Sequence, residues 1–231
     1  MKRLFVIAVI LITAFSYSFS QGCWKKRLHS NIGANFITEV GTTLYAGTSG
    51  YGVYVSTDRG EEWTYLVSLN EATKANFFLC MTVNGPNLFI GSMNNGVLRS
   101  TDNGASWMQV NNGIETLAIS CLATIGNKIM AVANGSLIFS TDNGENWNLS
   151  TVERLQRNVQ CIHVFGSCIF AGTMEDGVFR STDNGQNWTQ VNEGLNSLNI
   201  LSFTNNGSDI VVGTAEGFLG ISSDKGNKNS N

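Results

Sequence analysis

An eight-residue phrase that recurs along the chain constrains its fold more than any other feature. It reads Ser-Thr-Asp-Asn-Gly-Ala-Ser-Trp at 100–107 and returns, with changes, at 56–63, 140–147 and 181–188. A fifth copy starts at Ser222 but has Asn229 where the others have tryptophan. The aspartates stand at 58, 102, 142, 183 and 224, so the steps are 44, 40, 41 and 41 residues. Such a period is typical of a propeller or a solenoid built from one repeated unit.

Each copy predicts a tight turn between two strands. The aspartate can accept backbone N–H groups within the turn, and the glycine suits a position with positive φ. Strand-like segments flank the turn, and the tryptophan ring is expected to cover the seam between neighbouring sheets. We expect the aspartates, glycines and tryptophans of the phrase to have a structural role. They are Asp58, Gly60, Trp63, Asp102, Gly104, Trp107, Asp142, Gly144, Trp147, Asp183, Gly185, Trp188, Asp224 and Gly226.

The phrase resembles the Asp-box, or bacterial neuraminidase repeat, of sialidases, sortilin-type receptors, xyloglucanases and photosystem assembly-factor propellers. The resemblance implies a β-propeller. In those families the Asp-box is a structural turn away from the active site, so the resemblance predicts the architecture and says little about activity.

Each repeat is predicted to hold four short antiparallel strands. In the fourth repeat they are expected over 158–165, 167–173, 177–181 and 187–192. At a period near 41, residues 21–231 suffice for five blades and leave nothing for a second domain. The predicted fold is therefore an all-β, single five-bladed propeller of four-stranded blades. Only 69–76, an insertion in the first long step, resembles a helix.

The first twenty residues have the pattern of a secretory signal peptide. Lys2 and Arg3 precede an apolar run from Leu4 to Phe15, which is too short to span a membrane, and a small-residue cleavage site follows at 18–20. Cleavage leaves 12 basic and 17 acidic residues, because two of the 14 basic residues are removed. This acidic balance disfavours nucleic acid and anionic membranes as partners. The mature chain is expected to be secreted or to reside in the periplasm or cell envelope, and a lipid anchor on Cys23 is the less favoured alternative.

Trp24 supplies what the fifth repeat lacks. It precedes Phe36 by 12 residues, much as Trp107 precedes Cys121 by 14. We therefore expect the segment 23–28 to form the outer strand of the last blade. This arrangement would close the ring and cover an otherwise unpaired sheet edge. It also disfavours a lipid on Cys23, which would have no flexible tether.

Three cysteines occupy one equivalent position in their repeats, where the other two repeats have Phe36 and Ser202: Cys80, Cys121 and Cys161. One hypothesis is a soft-metal site formed with His163. The favoured alternative is that the crowded inner strands need a small side chain, since no Cys-x-x-Cys spacing appears. No metal or cofactor is predicted. A turn at 166–167 would place Cys168 opposite Phe165 rather than Cys161.

The sequence assigns no catalytic residue. The Arg-Ile-Pro motif of sialidases is absent, because the only proline is Pro86. Xyloglucanases place two aspartates between two seven-bladed propellers, which this chain is too short to contain. With only His29 and His163 available, no Ser-His-Asp triad can be nominated.

The loops between second and third strands should meet at one end of the propeller, where such folds generally bind. Their candidate ligand-binding residues are Tyr51, Asn94, Asn95, Asn134, Glu175, Asp176 and Glu216. We expect a monomeric, non-catalytic module that binds a glycan or a protein, or serves as a scaffold, through this end. The alternatives are a glycoside hydrolase that uses the carboxylates and a structural component of a larger envelope assembly.

Overall fold

The computed structural model describes residues 33–66 and 77–226 and folds most of them into short β-strands and the turns between them. Nineteen strands follow one another as antiparallel meanders, so each sheet is built from strands consecutive in the chain. In the described ranges the one helical element is a 3-10 turn at Glu153–Leu155. The predicted all-β class and antiparallel pairing are confirmed.

There are five sheets, four with four strands and one with three. The strands of the first sheet are β1 (Ala34–Val40), β2 (Thr43–Thr48), β3 (Val53–Ser56) and β4 (Thr64–Tyr65). Those of the second are β5 (Phe78–Asn84), β6 (Asn87–Ser92), β7 (Val97–Ser100) and β8 (Met108–Gln109). Those of the third are β9 (Ile119–Ile125), β10 (Lys128–Ala133), β11 (Ser136–Ser140) and β12 (Asn148–Leu149).

The fourth sheet repeats this order, and the fifth has three strands in the described residues. The strands of the fourth are β13 (Val159–Phe165), β14 (Cys168–Thr173), β15 (Val178–Ser181) and β16 (Thr189–Gln190). Those of the fifth are β17 (Ile200–Asn205), β18 (Ile210–Thr214) and β19 (Leu219–Ser222). The predicted signal peptide, the predicted strand at 23–28 and the helix-like insertion at 69–76 lie outside the described residues.

The outermost strand of the fourth sheet is shorter than predicted. It covers Thr189–Gln190 rather than 187–192. The Asn187 backbone N–H donates to the Asp183 carboxylate (2.9 Å) before the strand begins, and the Asn192 side chain accepts from the Val178 N–H (2.8 Å) after it ends. Side chains thus replace the ladder hydrogen bonds at both ends of the strand.

The first strands of consecutive sheets lie side by side, from β1 and β5 through to β13 and β17. Apolar clusters fill the seams between consecutive sheets. Trp147 is buried in the cluster between the second and third sheets, and Trp107 and Trp188 pack against the clusters on either side of it. The core is therefore a series of apolar layers between radially arranged sheets, as in a propeller.

The first strand of every sheet has a β-bulge. The position that holds Cys80, Cys121 or Cys161 in three of the sheets comes directly after this bulge. Cys80 and Cys161 lie opposite glycines, Gly91 and Gly172. A Cβ atom added at Gly91 would lie 2.5 Å from the Cys80 Sγ, and one at Gly172 would lie 2.7 Å from the Cys161 Sγ. The close approach explains why these strands combine small residues here. Cys168 pairs with Phe165, so the prediction for that hairpin is confirmed.

Candidate functional site

The Asp-box turn is held by a buried serine as well as by the aspartate. The Ser100 hydroxyl donates to Asp102 Oδ1 (2.8 Å) and accepts from the Gly104 N–H (2.8 Å). The aspartate in turn accepts from the Ser106 N–H (2.8 Å). The serine contacts recur in all five copies. This serine was not among the residues predicted to matter, although its presence in every copy was the available signal.

Two adjacent left-handed residues make the turn possible. In the second copy they are Asn103 (φ 56°) and Gly104 (φ 89°), and the same pair of positions has positive φ in every copy. Asparagine and glycine tolerate this conformation better than other residues. The repeated Asn-Gly of the phrase therefore has a direct backbone cause.

Hydrogen bonds to the turn lower the pKa of each Asp-box carboxyl. The Asn146 side chain and backbone N–H, together with the Ser140 hydroxyl, lower the pKa of Asp142 to about 2. The backbone and side chain of Asn187 lower the pKa of Asp183 to about 2 in the same way. These aspartates are ionised acceptors committed to their own turns, which is a structural arrangement.

In the described residues the second to fifth turns also accept a hydrogen bond from the preceding sheet. The Arg99 guanidinium donates to the Asn143 carbonyl (2.8 Å), and Arg180 donates to the Lys225 carbonyl (2.8 Å). In the first sheet the equivalent donor is the Tyr45 hydroxyl, which donates to the Asn103 carbonyl. In the third sheet it is the Lys128 ammonium, which donates to the Asn184 carbonyl. We call the end of the molecule that carries these turns the Asp-box face, and its turn carbonyls link successive sheets.

The opposite end carries the loops between second and third strands and is called the loop face below. Each of these loops donates a backbone N–H to the residue just before the first strand of its own sheet. The five bonds run from Ser49 to Gly33, Met93 to Phe77, Asn134 to Ala118, Met174 to Asn158 and Ala215 to Asn199. The five loops are thus held on one rigid frame, which suits a binding surface.

The predicted polar candidates of the first three loops differ in exposure. Tyr51 and Asn94 are exposed. Asn134 is exposed and adopts positive φ (48°) in a tight hairpin with Gly135. Asn95 is half-buried, and its Nδ2 has no hydrogen-bond partner in the part of the chain that the structure describes. Tyr51, Asn94 and Asn134 are therefore available to a ligand.

The carboxylates of the last two loops already have partners or face open solvent. Asp176 forms an exposed ion pair with Arg154 (3.3 Å), and Glu216 accepts a hydrogen bond from the Ser197 hydroxyl. Glu175 is exposed. A general acid in glycoside hydrolysis generally needs a carboxyl group that a buried, apolar site keeps protonated. Neither glutamate lies in such a site.

Apolar side chains on the loop face are a feature of which sequence analysis nominated only Tyr51. Eleven large apolar side chains are exposed among the described residues, and six of them lie on this face, each between 41% and 53% exposed. We call these six the apolar rim: Tyr51, Phe77, Met93, Leu117, Met174 and Leu198. Backbone bonds fix the rim to the loops, for example from Gly96 to Leu117 (2.9 Å) and from Gly177 to Leu198 (3.0 Å).

The three aligned cysteines are free thiols enclosed by the sheets. Burial is the main cause that raises the pKa of each, and the neighbouring Cys121 adds to the effect on Cys80 and Cys161. In residues 33–66 and 77–226, no three His, Cys, Asp or Glu side chains are grouped so as to hold a metal ion. The same ranges contain no helix with the length and apolar character needed to cross a membrane.

Solved structures share this fold at low sequence identity. The extracellular domain of a protein described as a hybrid two component system of B. thetaiotaomicron aligns with 87% of this chain at a TM-score of 0.66 and 16% identity. The GH74 xyloglucanase of Xanthomonas campestris aligns with 74% of this chain at a TM-score of 0.59 and 16% identity. The structure of YCF48 bound to D1 peptide aligns with 78% of this chain at a TM-score of 0.57 and 18% identity. The chain spans 28%, 33% and 65% of those three proteins, respectively.

Comparison with the curated proteins found no match. Two sequence families do match. The BNR/Asp-box repeat matches residues 179–190, which cover the fourth copy of the phrase. The DUF6242 beta propeller domain matches residues 23–159, which is more than half of the 231 residues. On that match, with the propeller arrangement of its sheets and its Asp-box turns, the chain belongs to the DUF6242 beta propeller domain family.

Proposed function

We propose that this protein is an exported, non-catalytic binding or scaffolding propeller that recognises a protein segment through its loop face. The observation that carries the proposal is the apolar rim, because six of the eleven exposed large apolar side chains lie there. Exposed apolar groups concentrated on one face commonly mark an interaction site. The loops beneath them are held by a repeated set of backbone hydrogen bonds, so the surface is preorganised.

The composition of the rim favours a protein over a glycan. Four of its six members are methionine or leucine, whose side chains adapt to other apolar side chains but offer no hydrogen bonds to sugar hydroxyls. The exposed amides of Asn94 and Asn134 lie in the same set of loops and can bond a peptide backbone. YCF48, which shares this fold, has been solved bound to D1 peptide. That precedent supports a peptide-like ligand here by analogy only.

The glycoside hydrolase alternative has weaker support. It draws on the GH74 structures, whose likeness at about one-fifth identity or less concerns the fold. On this chain Asp176 is paired with Arg154, and Glu216 is bonded to Ser197. Each of the two carboxylates therefore already has its own partner, which is not the paired arrangement that hydrolysis uses.

Export and domain extent are part of the proposal. Residues 1–20 would be removed as a signal peptide, and 21–231 would form the propeller. The likeness to an extracellular domain of B. thetaiotaomicron supports this location. Mass spectrometry of the secreted chain should find Gln21, or its cyclised form, at the N-terminus, whereas a diacylglycerol on Cys23 would contradict it.

We also propose that the five sheets are five blades of one closed ring, with 23–28 as the outer strand of the last blade. The fifth sheet has three described strands where the others have four. Its Asp-box has the same serine contacts as the other copies, so the chain is turned there toward a fourth strand position. Among the described residues β19 is the edge strand of this sheet, and its Leu219 and Ile221 are exposed.

The binding role is tested with an array of peptides and glycans probed with the mature chain. We expect binding to peptides that carry apolar side chains and no comparable binding to glycans. The double variant Met93→Ser/Met174→Ser should lose that binding. The matched control is Met108→Ser/Leu149→Ser, which removes two exposed apolar side chains from the outer strands β8 and β12 and should bind normally. Equal binding by both double variants would overturn the proposal.

A further inference from the structure

A groove of about 660 Å³ lies between the fourth and fifth sheets. It is lined by β16 with the residues that follow it and by β19, the last described strand. Leu219 and Ile221 of β19 are 71% and 68% exposed, the highest values of any large apolar side chain in the described residues. Apolar side chains therefore line part of the groove, and in the described residues it is flanked by a strand edge that can pair with another strand.

The wall of this groove repeats the wall of a filled seam elsewhere in the molecule. Val-Asn-Asn-Gly-Ile at 110–114 and Val-Asn-Glu-Gly-Leu at 191–195 occupy equivalent places after β8 and β16. Asn111 and Asn192 each accept from a strand N–H at 2.8 Å, and each donates to a loop carbonyl, at 2.9 and 2.8 Å. Because the hydrogen bonds agree, the two segments present their backbone carbonyls in the same way.

In the filled seam the occupant is Trp147. Its backbone N–H donates to the Asn112 carbonyl (2.9 Å), and its indole N–H donates to the Val110 carbonyl (2.8 Å). Its own carbonyl oxygen lies so close to Gly113 that a Cβ atom there would collide with it. The Val-Asn-x-Gly segment is thus a socket for a tryptophan and the strand that follows it.

At the equivalent Gly194, an added Cβ atom would meet nothing within 4 Å among the described atoms. The carbonyls equivalent to those that hold Trp147 belong to Val191 and Glu193, and both residues line the groove. The socket between the fourth and fifth sheets therefore has the form that binds a tryptophan.

We propose that Trp24 of the same chain occupies this socket, with its backbone N–H on the Glu193 carbonyl and its indole N–H on the Val191 carbonyl. The chain has five tryptophans, and four of them follow Asp-boxes. Trp24 is the fifth, while the fifth Asp-box has Asn229 at the tryptophan position. The ten residues from Trp24 to Gly33 can span up to about 30 Å when extended, which is enough to cross a blade. This inference rests on the ring closure proposed above, and it is independent of the binding role of the loop face.

The test compares three glycine-to-alanine variants of the mature chain, residues 21–231. Gly113, Gly194 and Gly217 all have positive φ (87°, 79° and 80°), so alanine strains the backbone similarly at each. Gly217, like Gly194, has nothing within 4 Å of an added Cβ, and it is the control for strain alone. If Trp24 fills the socket, Gly194→Ala should lower Tm about as much as Gly113→Ala and clearly more than Gly217→Ala.

The variant Trp24→Ala removes the proposed occupant and makes the comparison specific. In that background Gly194→Ala should cost no more than Gly217→Ala, while the effect of Gly113→Ala is unchanged. Equal Tm shifts for Gly194→Ala and Gly217→Ala in the wild-type background would overturn the proposal. A dimer in light scattering, with Tm shifts that depend on protein concentration, would assign the socket to a second copy and also overturn it.

Hydrogen exchange keeps the proposal testable if the variants fold poorly. In the wild-type mature chain the amides of β19 should be protected like those of β11 and β15, whose edges are paired in the structure. Fast exchange throughout β19 would contradict the proposal. Neither outcome bears on peptide binding by the loop face, which the Met93→Ser/Met174→Ser variant tests separately.

Discussion

The two faces of this propeller are built from the same repeat in opposite ways. On the Asp-box face the side chains recur, with a serine, an aspartate and a glycine making the same hydrogen bonds in five turns. On the loop face the backbone bonds recur, while the side chains change from Met93 to Asn134 to Met174. Where side chains recur they hold the frame, and where only the backbone recurs the surface is free to differ for binding.

The largest expected effect falls where an Asp-box tryptophan enters a seam. Trp147 is 4% exposed and bonds across the seam to the Val110 carbonyl. Trp147→Ala should lower the free energy of unfolding by about 3–5 kcal/mol, through the cavity and the lost contacts. Urea denaturation measures this. Trp63→Ala is the control, because Trp63 is half-buried and, within 33–66 and 77–226, its indole N–H donates to Gly60 of its own turn rather than across a seam. An equal loss would contradict the seam argument.

A smaller loss is expected when the turn loses its buried hydroxyl. Ser100 is 1% exposed and accepts from the Gly104 N–H. Ser100→Ala should cost about 1–3 kcal/mol, because the buried hydroxyl that bonds both the Asp102 carboxylate and the Gly104 N–H is lost. Ser106→Ala removes an exposed hydroxyl that donates to Asp102, and it should lower the free energy of unfolding clearly less. If the two variants unfold at the same urea concentration, the buried serine does not hold the turn.

Acid should weaken the Asp-box face in a defined window. The pKa of Asp142 is lowered from 3.8 to about 2 in the folded protein, so its ionised form stabilises the fold. That contribution is complete above pH 3.8 and is lost as pH falls through about 2. The difference in urea midpoint between wild type and Asp142→Ala should therefore shrink from pH 5 to pH 2. A difference that stays constant with pH would show that the carboxylate charge does not matter to the turn.

The smallest effect on stability is expected on the loop face. Met174 is 47% exposed, and its side chain is not part of the apolar clusters in the described residues. Met174→Ser should change the free energy of unfolding by no more than about 0.5 kcal/mol. The same urea titration provides the measurement, and a loss comparable to that of Ser100→Ala would mean that the rim is core rather than surface.

The sequence predicts the frame well because the frame is local and repeated. A period of 40 to 44 residues and the Ser-x-Asp-x-Gly chemistry are enough for the all-β class, the meander order and the turns. The position of Cys168 opposite Phe165 also follows from one two-residue turn. The outer strand of the fourth repeat was predicted too long, because the pattern does not show that the Asp183 carboxylate accepts the Asn187 backbone N–H before pairing begins.

The candidate site was harder to predict because exposure depends on neighbouring sheets. Leu117 and Leu198 were not among the residues nominated from the sequence, yet each is 42% exposed on the loop face. The ion pair between Asp176 and Arg154 depends on the 3-10 turn at Glu153–Leu155, which contains Arg154 and which the sequence pattern does not predict. Polar loop residues were therefore nominated, while most of the apolar rim was missed.

The most direct test of the division between the two faces measures stability and binding on the same samples. The variants are Ser100→Ala on the Asp-box face and Met93→Ser/Met174→Ser on the loop face, compared with wild type by urea denaturation and by titration with a peptide selected on the array. We predict that Ser100→Ala lowers stability but binds normally while folded. The loop-face variant should keep its stability and lose binding. Normal binding by the loop-face variant, or loss of binding by folded Ser100→Ala, would contradict the account.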